Sequence, residues 1–374
     1  MKSILFLVDS LRVGGAERAL VSLLTHIDVT KYEITVLSIT DGGEFAERIQ
    51  SIDRVDYRYL ISSQSSFLDK LKYKLIYSWL PPRLSYRLFV PKGHDVEIAF
   101  CEGYTTKLIG ASTNLSARRI AWVHTDLLDN NWPLKSGIFS NLEEEKSCYA
   151  RFDTVAGVSE IVVTGLKTFL PNKDIRRVYN LVDSEEIISK SREQTCFPHD
   201  LNCFNIVSVG RLERVKGFDR LVEAVARLRE EGVANLSLTI VGDGTHRQFL
   251  SDMIKEYGLE STVTLTGSQS NPYSIMRGKD LFVCSSRCEG YNLAIAEAMV
   301  LGIPIVSTRC SGPVEILQDG KYGVLCDNSV EGLYNTIKLF VQQPGLCNQY
   351  AQLSKERSNF FRIDSVINQI EQLL

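Results

Sequence analysis

Short apolar runs alternate with stretches of helical period along most of this chain. The run Ile4–Val8 is bounded by turn residues, as a buried strand would be, and Ala16–Ile27 follows with its leucines on one face. Such alternation is typical of βαβ units on a mostly parallel sheet. In the first half it predicts strands over 4–8, 33–39, 96–100 and 119–123, and helices over 16–27 and 44–51.

A second alternation of the same kind follows a polar stretch. It predicts strands over 204–209, 236–241, 263–266, 280–284 and 303–307, and helices over 218–231, 246–257 and 292–301. A chain of 374 residues is long enough for two domains. We therefore predict two doubly wound α/β domains, over 1–183 and 204–358, joined by a linker at 184–203. Residues 359–374 are predicted to form a helix that packs back on the first domain.

Charge and composition narrow the class of protein. Forty-two basic residues stand against forty-five acidic ones, whereas a chain built to bind nucleic acid is strongly basic. The apolar run near the start, Ile4–Val8, is far too short to cross a membrane, and no secretory cleavage pattern follows it. These features predict a soluble, cytoplasmic protein that does not bind nucleic acid.

The nine cysteines are not expected to carry the chemistry. None forms a Cys-x-x-Cys pair, and no histidine lies near them at metal-binding spacing. In a reducing compartment a free cysteine packs as a small apolar residue. We predict buried or idle thiols and no metal site built from them.

The loop after the first strand contains Gly14 and Gly15 directly before a helix. Two glycines at a helix start let a phosphate or a sugar approach the backbone N–H groups. A plain tight turn is the alternative. The third glycine of the dinucleotide-binding fingerprint is absent, which disfavours a dehydrogenase.

Arg211 and Lys216 follow the strand predicted at 204–209. At the carboxyl end of a parallel strand, such a pair of cations can hold a diphosphate, with arginine binding it bidentately and lysine as a point charge. A solvated charged loop, with Glu213 pairing Arg214, is the alternative. No Asp-x-Asp motif occurs in the chain, so we expect no metal to hold the diphosphate.

Glu289 ends the loop after the strand at 280–284, and Glu297 lies eight residues further on inside an apolar helix. A carboxylate in such a helix is costly unless groups donate hydrogen bonds to it, and sugar hydroxyls are suitable donors. Pairing with an arginine or with backbone groups is the structural alternative. The spacing and the apolar context favour a ligand-binding role.

Taken together, these motifs resemble the retaining glycosyltransferases of GT-B fold, family 4, over nearly the whole chain. The most specific part runs from Glu289 through Glu297 to the segments 302–307 and 312–317; segments 122–126 and 179–183 also resemble the family. The chain departs from the family at Leu181, where a small residue or proline is commoner. The resemblance implies two Rossmann-like domains that face each other across a cleft.

The resemblance also implies roles for particular residues. Glu297 would hold the ribose of a nucleotide sugar, Glu289 would lie beside the transferred sugar, and Arg211 with Lys216 would bind the diphosphate. His124 would lie near the donor sugar; a lone histidine is otherwise more often a structural residue. Catalytic roles are thus expected for His124, Glu289, Arg211 and Lys216. The implied donor site consists of Gly14, Gly15, Asn180, Gly210, Arg211, Lys216, Gly242, Gly267, Gly290, Tyr291, Asn292, Leu293 and Glu297.

Members of the family that resemble this chain build bacterial surface polysaccharides on polyprenyl-diphosphate carriers. The resemblance implies a donor such as UDP-galactose, UDP-N-acetylgalactosamine or UDP-N-acetylglucosamine, and a lipid-linked saccharide as acceptor. Residues 70–92 carry six basic and no acidic side chains, interleaved with apolar ones, a composition typical of segments that lie on anionic membranes. Contact with the inner face of the cytoplasmic membrane is one interpretation; binding of the carrier diphosphate and a solvated helix face with core aromatics are the others.

Two other functions fit parts of the pattern. A nucleotide-sugar 2-epimerase shares the two-domain architecture, although different acidic residues and histidines are expected around its glycines. A non-catalytic, nucleotide-sugar-binding partner subunit is the second. The presence together of Glu289, Glu297, Arg211 and Lys216 argues against it, since a degenerate site loses such residues.

Overall fold

The computed structural model describes residues 1–12, 14–62, 66–197, 199–361 and 363–374. The chain divides into two compact units, one comprising Met1–Leu181 with Ile363–Leu374 and the other Val182–Arg362. Each unit is built on a parallel sheet with helices between its strands, as the alternation of apolar runs predicts. No helix among the described residues is long and apolar enough to cross a membrane.

The first unit contains a seven-stranded sheet in the order β3-β2-β1-β4-β5-β6-β7. Its strands are β1 (Lys2–Ser10), β2 (Tyr32–Thr40), β3 (Val55–Ile61), β4 (Val96–Ala99), β5 (Arg118–Val123), β6 (Thr154–Gly157) and β7 (Asp174–Arg177). Its first eight α-helices are α1 (Gly15–His26), α2 (Glu44–Gln50), α3 (Phe67–Lys74), α4 (Pro82–Phe89), α5 (Tyr104–Ile109), α6 (Trp132–Lys135), α7 (Leu142–Tyr149) and α8 (Glu160–Phe169). A π-helix, Leu75–Trp79, lies between α3 and α4.

The second unit contains a six-stranded sheet in the order β10-β9-β8-β11-β12-β13. Its strands are β8 (Phe204–Val209), β9 (Leu236–Val241), β10 (Val263–Leu265), β11 (Leu281–Cys284), β12 (Ile305–Thr308) and β13 (Val324–Cys326). Its helices are α9 (Ser184–Ser191), α10 (Phe218–Glu230), α11 (Arg247–Glu256), α12 (Pro272–Met276), α13 (Leu293–Val300), α14 (Ser311–Ile316), α15 (Val330–Gln342) and α16 (Pro344–Ser358), with a 3₁₀ turn at Arg214–Lys216. The last helix of the chain, α17 (Ile363–Leu373), belongs to the first unit.

All the strands and helices named from the sequence are present. The missed strands are short or lie at sheet edges, whereas the missed helices include the long α15 and α16. Strand β6 has only four residues, and β7 is a largely exposed edge strand of four. Neither offers a long apolar run or a clear alternation, because β6 is too short and most of β7 is exposed. Edge strand β3 is likewise half exposed.

The prediction of a linker over 184–203 was wrong for the first part of this stretch, where α9 forms. The Asp183 side chain caps this helix by accepting a hydrogen bond from the Glu186 N–H at 2.8 Å. Ile187 and Ser191 are buried, and Asn271 donates to the Lys190 carbonyl at 2.8 Å. The polar composition hid a helix that buries only one narrow face. Pro198, the proline of this stretch, lies outside the described residues.

Candidate active site

The carboxyl ends of two paired strands bring the predicted charged residues of the second unit together. Strand β8 pairs with β11, so the loops that follow them are neighbours. The Ser285 hydroxyl donates to the Lys216 carbonyl at 2.9 Å, and the Arg287 N–H donates to the Val215 carbonyl at 2.7 Å. The two loops therefore form one structure, although about seventy residues separate them.

Lys216 and Glu289 form an ion pair at the centre of this structure. Lys216 Nζ lies 2.6 Å from Glu289 Oε1, and the Glu289 side chain is only 8% exposed. Burial disfavours the charged ammonium, but the carboxylate of Glu289 outweighs that effect and raises the pKa of Lys216. Lys216 is therefore a fixed cation at neutral pH.

Glu289 is held by two further donors on the same oxygen. The Ser286 hydroxyl donates to Oε1 at 2.6 Å, and the Asn292 amide donates to it at 3.0 Å. Asn292 also caps α13, since its side-chain oxygen accepts from the Ile295 N–H at 3.1 Å. The position of the loop carboxylate is thus fixed by the start of the helix that carries Glu297.

Glu297 lies in α13 with 3% of its surface exposed, among apolar neighbours. The Tyr273 hydroxyl donates to its Oε1 at 3.2 Å. Tyr273 was not among the residues singled out in the sequence. It is the second residue of α12, two positions after the capping Asn271, so a tyrosine near a helix start was its only local signal.

Three glycines that were predicted to belong to the donor site, Gly210, Gly242 and Gly267, lie close together beside these loops. Gly242, after β9, has a φ of 141° and forms a bridge with Gly267, after β10. A Cβ on Gly242 would lie 2.0 Å from the Gly210 carbonyl oxygen, so only glycine fits there. These glycines line the carboxyl ends of β8, β9 and β10 with bare backbone.

The remaining predicted donor-site residues of this unit lie nearby in the chain but are less constrained. Arg211 is exposed, and among the described residues no group forms a hydrogen bond or an ion pair with its guanidinium. Tyr291 follows Gly290, and both are buried against Gly312, whose N–H donates to the Glu289 carbonyl at 2.9 Å. Leu293 begins α13.

In the first unit, the predicted residues lie at three separate strand ends or loops. Gly14 and Gly15 open α1 after β1, with Gly14 at the N-cap position. Asn180 is buried next to Leu181, the last residue of the longer of the two chain segments that make up this unit. His124 directly follows β5 and packs against Phe100, with ring centroids 5.1 Å apart.

Glu102 organises the surroundings of His124 and was missed in the sequence. Its carboxylate accepts from the His124 N–H at 3.0 Å, from the Trp132 indole N–H at 3.0 Å and from the Thr125 hydroxyl. Glu102 is 6% exposed and follows β4, the strand that pairs with β5. A lone glutamate two residues after an apolar run was the available signal.

The imidazole of His124 is kept neutral by its surroundings. Burial lowers its pKa, and the attraction of Glu102 and a hydrogen bond to the Phe100 backbone only partly oppose that effect. Its Nε2 atom is buried and has no hydrogen-bond partner among the described residues. A neutral ring nitrogen of this kind suits a hydrogen bond to a sugar hydroxyl.

The described part of the chain offers no obvious metal site. No group of three or more histidine, cysteine, aspartate or glutamate side chains is placed to hold a metal ion among those residues. All nine cysteines are free thiols, and four of them are buried. The expectation of a metal-independent reaction stays a prediction.

The segment 70–92 shows features of two of the three interpretations that its sequence allows. Tyr86 and Ile76 are buried in the first unit, as the core interpretation requires. Trp79, Leu84 and Leu88 are 61%, 40% and 61% exposed, as a membrane-facing surface requires. The six basic side chains that the sequence places here, Lys70, Lys72, Lys74, Arg83, Arg87 and Lys92, are all exposed.

The chain is similar to several known proteins. Residues 190–357 match the family model described as "Glycosyl transferases group 1". A Campylobacter jejuni protein named N-acetylgalactosamine-N,N'-diacetylbacillosaminyl-diphospho-undecaprenol 4-alpha-N-acetylgalactosaminyltransferase is 25% identical over 371 residues, which is 96% of each chain. The lipopolysaccharide core biosynthesis glycosyltransferase LpsE of Rhizobium meliloti is 30% identical over 185 residues, 49% of this chain and 52% of that protein.

The fold is also shared with solved structures of other proteins. The crystal structure of Anabaena Alr3699/HepE in complex with UDP-glucose matches with a TM-score of 0.76 and 21% identity, over 100% of this chain and 99% of that one. This likeness supports the GT-B architecture of two parallel-sheet, Rossmann-like units. Residues 190–357, within the second unit, therefore form a group 1 glycosyltransferase domain, and the chain is a glycosyltransferase of GT-B fold.

Proposed function

We propose that this enzyme transfers a sugar from a UDP-sugar to a hydroxyl group of a saccharide carried on a polyprenyl diphosphate, with retention of anomeric configuration. UDP-galactose, UDP-N-acetylgalactosamine and UDP-N-acetylglucosamine are the proposed donors. The observation that carries the proposal is the Lys216–Glu289 ion pair at the carboxyl ends of β8 and β11, followed by the buried Glu297 in α13, within the group 1 domain.

Glu297 is proposed to bind the ribose of the donor. A carboxylate that is 3% exposed in an apolar helix needs hydrogen-bond donors, and two neighbouring ribose hydroxyls can supply them. Tyr273 already donates to Oε1 and so fixes the orientation of the carboxylate. The ribose hydroxyls would then donate to a carboxylate whose orientation is already fixed.

Lys216 and Arg211 are proposed to neutralise the leaving diphosphate. As the bond to the sugar breaks, negative charge grows on the β-phosphate, and cations fixed in advance stabilise that charge more in the transition state than in the ground state. Lys216 is fixed by Glu289, whereas Arg211 has no partner among the described residues and is free to close on a ligand. Retention would follow if the acceptor hydroxyl attacks the anomeric carbon on the face from which the diphosphate leaves, with the leaving phosphate accepting the hydroxyl proton.

His124 and the Gly14–Gly15 turn are proposed to act on the donor from the first unit. The neutral imidazole would hydrogen-bond a hydroxyl of the donor sugar through Nε2, and the N-terminus of α1 would attract the diphosphate. Asn180 is proposed to lie in the same site. Substitution of His124 by alanine should lower kcat/KM by about tenfold or more, the loss of one to two good hydrogen bonds.

The proposed acceptor rests on the relatives' names. The Campylobacter jejuni protein is named for a diphospho-undecaprenol-linked saccharide, and the Rhizobium meliloti protein for lipopolysaccharide core biosynthesis. We extend this class of acceptor to the present chain, and with it a role in making a surface polysaccharide such as O-antigen, capsule or exopolysaccharide.

We further propose that the chain meets this acceptor at the inner face of the cytoplasmic membrane. In α4, two arginines are four residues apart, and so are two leucines. Residues at this spacing lie on the same side of a helix, so one exposed face carries Arg83, Leu84, Arg87 and Leu88. Basic side chains attract anionic head groups while exposed apolar ones enter the interface. Trp79 lies just before this helix and is also exposed.

Calorimetry with a panel of UDP-sugars tests the donor assignment. Glu297→Ala should abolish binding, while Glu256→Ala, which removes an exposed carboxylate from α11, should leave it unchanged. Equal binding by the wild type and Glu297→Ala would overturn the ribose assignment. Products formed with and without acceptor then separate a transferase from a 2-epimerase, and NMR of the new glycosidic bond tests retention.

A further inference from the structure

A carboxylate and three tyrosines meet at the carboxyl edge of the first sheet, outside the residues assigned above. Asp9 lies near the end of β1, and Tyr104 opens α5 just after β4, the strand that pairs with β1. The Tyr77 hydroxyl donates to Asp9 Oδ1 at 2.5 Å. The ring of Tyr77 lies 4.5 Å from that of Tyr104 and 4.6 Å from that of Tyr73.

A rare backbone conformation places Tyr77 in this cluster. The π-helix Leu75–Trp79 closes with a hydrogen bond from the Leu80 N–H to the Leu75 carbonyl, five residues back, at 3.0 Å. The Tyr104 hydroxyl donates to the Ile76 carbonyl within this turn. Single π-turns are frequent at functional sites, because they reorient a side chain at the expense of regular helix.

The three rings form a ladder that runs from the interior to the surface. Tyr104 is 6% exposed, and Tyr73, at the other end, is 38% exposed. Because the ring of Tyr77 contacts both of the other rings, Tyr73 is the ring that can offer a face to a ligand. An aromatic face carries partial negative charge and attracts the polarised C–H groups on one side of a pyranose ring.

Asp9 supplies the polar half of such a site. The residue is exposed, and among the described residues no group donates to its Oδ2 atom. A hydrogen bond from a sugar hydroxyl to a carboxylate is charge-assisted and is about twice as strong as a neutral one. The Tyr77 oxygen can accept a second one.

We propose that Asp9 and the tyrosines 73, 77 and 104 form a saccharide-binding subsite of the first unit, which holds the acceptor glycan through its hydroxyl groups and one apolar ring face. The identification of this glycan as the acceptor rests on the proposed function; the binding of a saccharide at this cluster does not. The alternative is that the cluster only anchors the segment between α3 and α4 to the sheet.

Saturation-transfer NMR with a panel of p-nitrophenyl glycosides tests the subsite. The panel comprises the α- and β-anomers of galactose, glucose, N-acetylgalactosamine and N-acetylglucosamine. We expect at least one glycoside to receive saturation at its ring protons. Asp9→Asn and Tyr73→Ala should each reduce this transfer to less than half, with the apparent Kd rising about fivefold or more, the loss of roughly one hydrogen bond or stacking contact.

A second tyrosine–aspartate pair in the same unit supplies matched controls. The Tyr57 hydroxyl donates to Asp41 Oδ1 at 2.9 Å, in the neighbourhood of β2 and β3. Asp41→Asn and Tyr57→Phe should leave saturation transfer unchanged. If no glycoside of the panel binds, or if the Asp9 and Tyr73 variants bind like the wild type, the subsite does not exist.

The same variants separate this proposal from the donor assignment. UDP-sugar binding by calorimetry should be unchanged in Asp9→Asn and Tyr73→Ala, whereas Glu297→Ala should lose it and still bind the glycosides. Loss of glycoside binding together with a lower midpoint of urea unfolding in both variants would favour the anchoring role and overturn the subsite. Tyr73 is exposed, so its replacement by alanine should not change that midpoint.

Discussion

Lys216 Nζ lies 2.6 Å from Glu289 Oε1, and the two residues are 73 positions apart in the chain. The pair joins the loop after β8 to the loop after β11. Lys216, the cation proposed to neutralise the leaving group, and Glu289, the carboxylate proposed to lie beside the sugar, therefore hold each other in place. A ligand phosphate at Lys216 would share the ammonium, which has three N–H donors, with Glu289.

We expect Lys216→Ala to lower kcat/KM by about 100- to 1000-fold, as for the loss of one charge-stabilising donor. It also leaves a carboxylate that is 8% exposed with only neutral donors, so the free energy of unfolding should fall by roughly 1–3 kcal/mol. Steady-state kinetics and urea unfolding measure the two effects. Arg214→Ala, which removes an exposed cation from the same 3₁₀ turn, is the control and should change neither quantity by much. A fully active Lys216→Ala would exclude the lysine from the chemistry.

Tyr273→Phe removes the hydroxyl that orients Glu297 and keeps the ring in place. We expect the Kd for the UDP-sugar to rise about three- to tenfold, equivalent to one hydrogen bond of about 1 kcal/mol. Calorimetry measures the change. Tyr257→Phe, at the exposed end of α11, is the matched control. An unchanged Kd in Tyr273→Phe would show that the carboxylate is oriented by other groups.

Glu102→Gln keeps the shape of the side chain but replaces an acceptor oxygen with an NH₂ group. Because three donors point at this carboxylate, the amide must oppose at least one of them, and we expect a loss of about 1–3 kcal/mol in the free energy of unfolding. The negative charge that raises the pKa of His124 is lost as well, so NMR titration should show that pKa moving lower. Glu143→Gln, at a position whose side chain is 83% exposed, should change neither value. A normal stability and an unshifted His124 would refute this role.

His124 should make the folded state less stable in acid. Burial holds its pKa below the ordinary 6.5, so the unfolded chain binds a proton that the folded chain does not. The stabilising contribution is complete above about pH 6.5 and is lost as the pH falls through the folded-state value. Urea unfolding between about pH 7 and pH 5 should therefore show a shallower pH dependence for His124→Asn than for the wild type. A remaining dependence is expected from His94, whose pKa burial also lowers. Identical slopes for wild type and variant would contradict this account.

The exposed face of α4 should determine binding to anionic membranes. Leu84→Ser with Leu88→Ser should weaken co-sedimentation with phosphatidylglycerol vesicles by about tenfold or more, since each leucine loses about 1 kcal/mol or more of apolar burial. Leu115→Ser with Leu201→Ser removes two leucines that are 93% and 90% exposed elsewhere, and should leave binding unchanged. Failure of the wild type to bind at low salt would end the membrane proposal.

The sequence alone predicted the class of fold, and it placed the candidate site in loops that follow strands. The apolar runs of β1 and β8 and the glycines after β1, β8 and β9 are local patterns, and the parallel alternation requires their loops to gather at one edge of each sheet. Glu297 was identifiable because an ionisable residue in an otherwise apolar helix has a cost that can be judged from its neighbours in the chain.

Only the tertiary structure decided which side chains meet. Lys216 and Glu289, Tyr273 and Glu297, and Asp9 and Tyr77 are 73, 24 and 68 positions apart, and no local period relates the members of a pair. Glu102 gave a weak signal because its three donors come from residues 22 to 30 positions later. Secondary structure follows from short-range periodicity, whereas the partner of a buried polar group depends on which strands pair, and that choice is made by the whole fold.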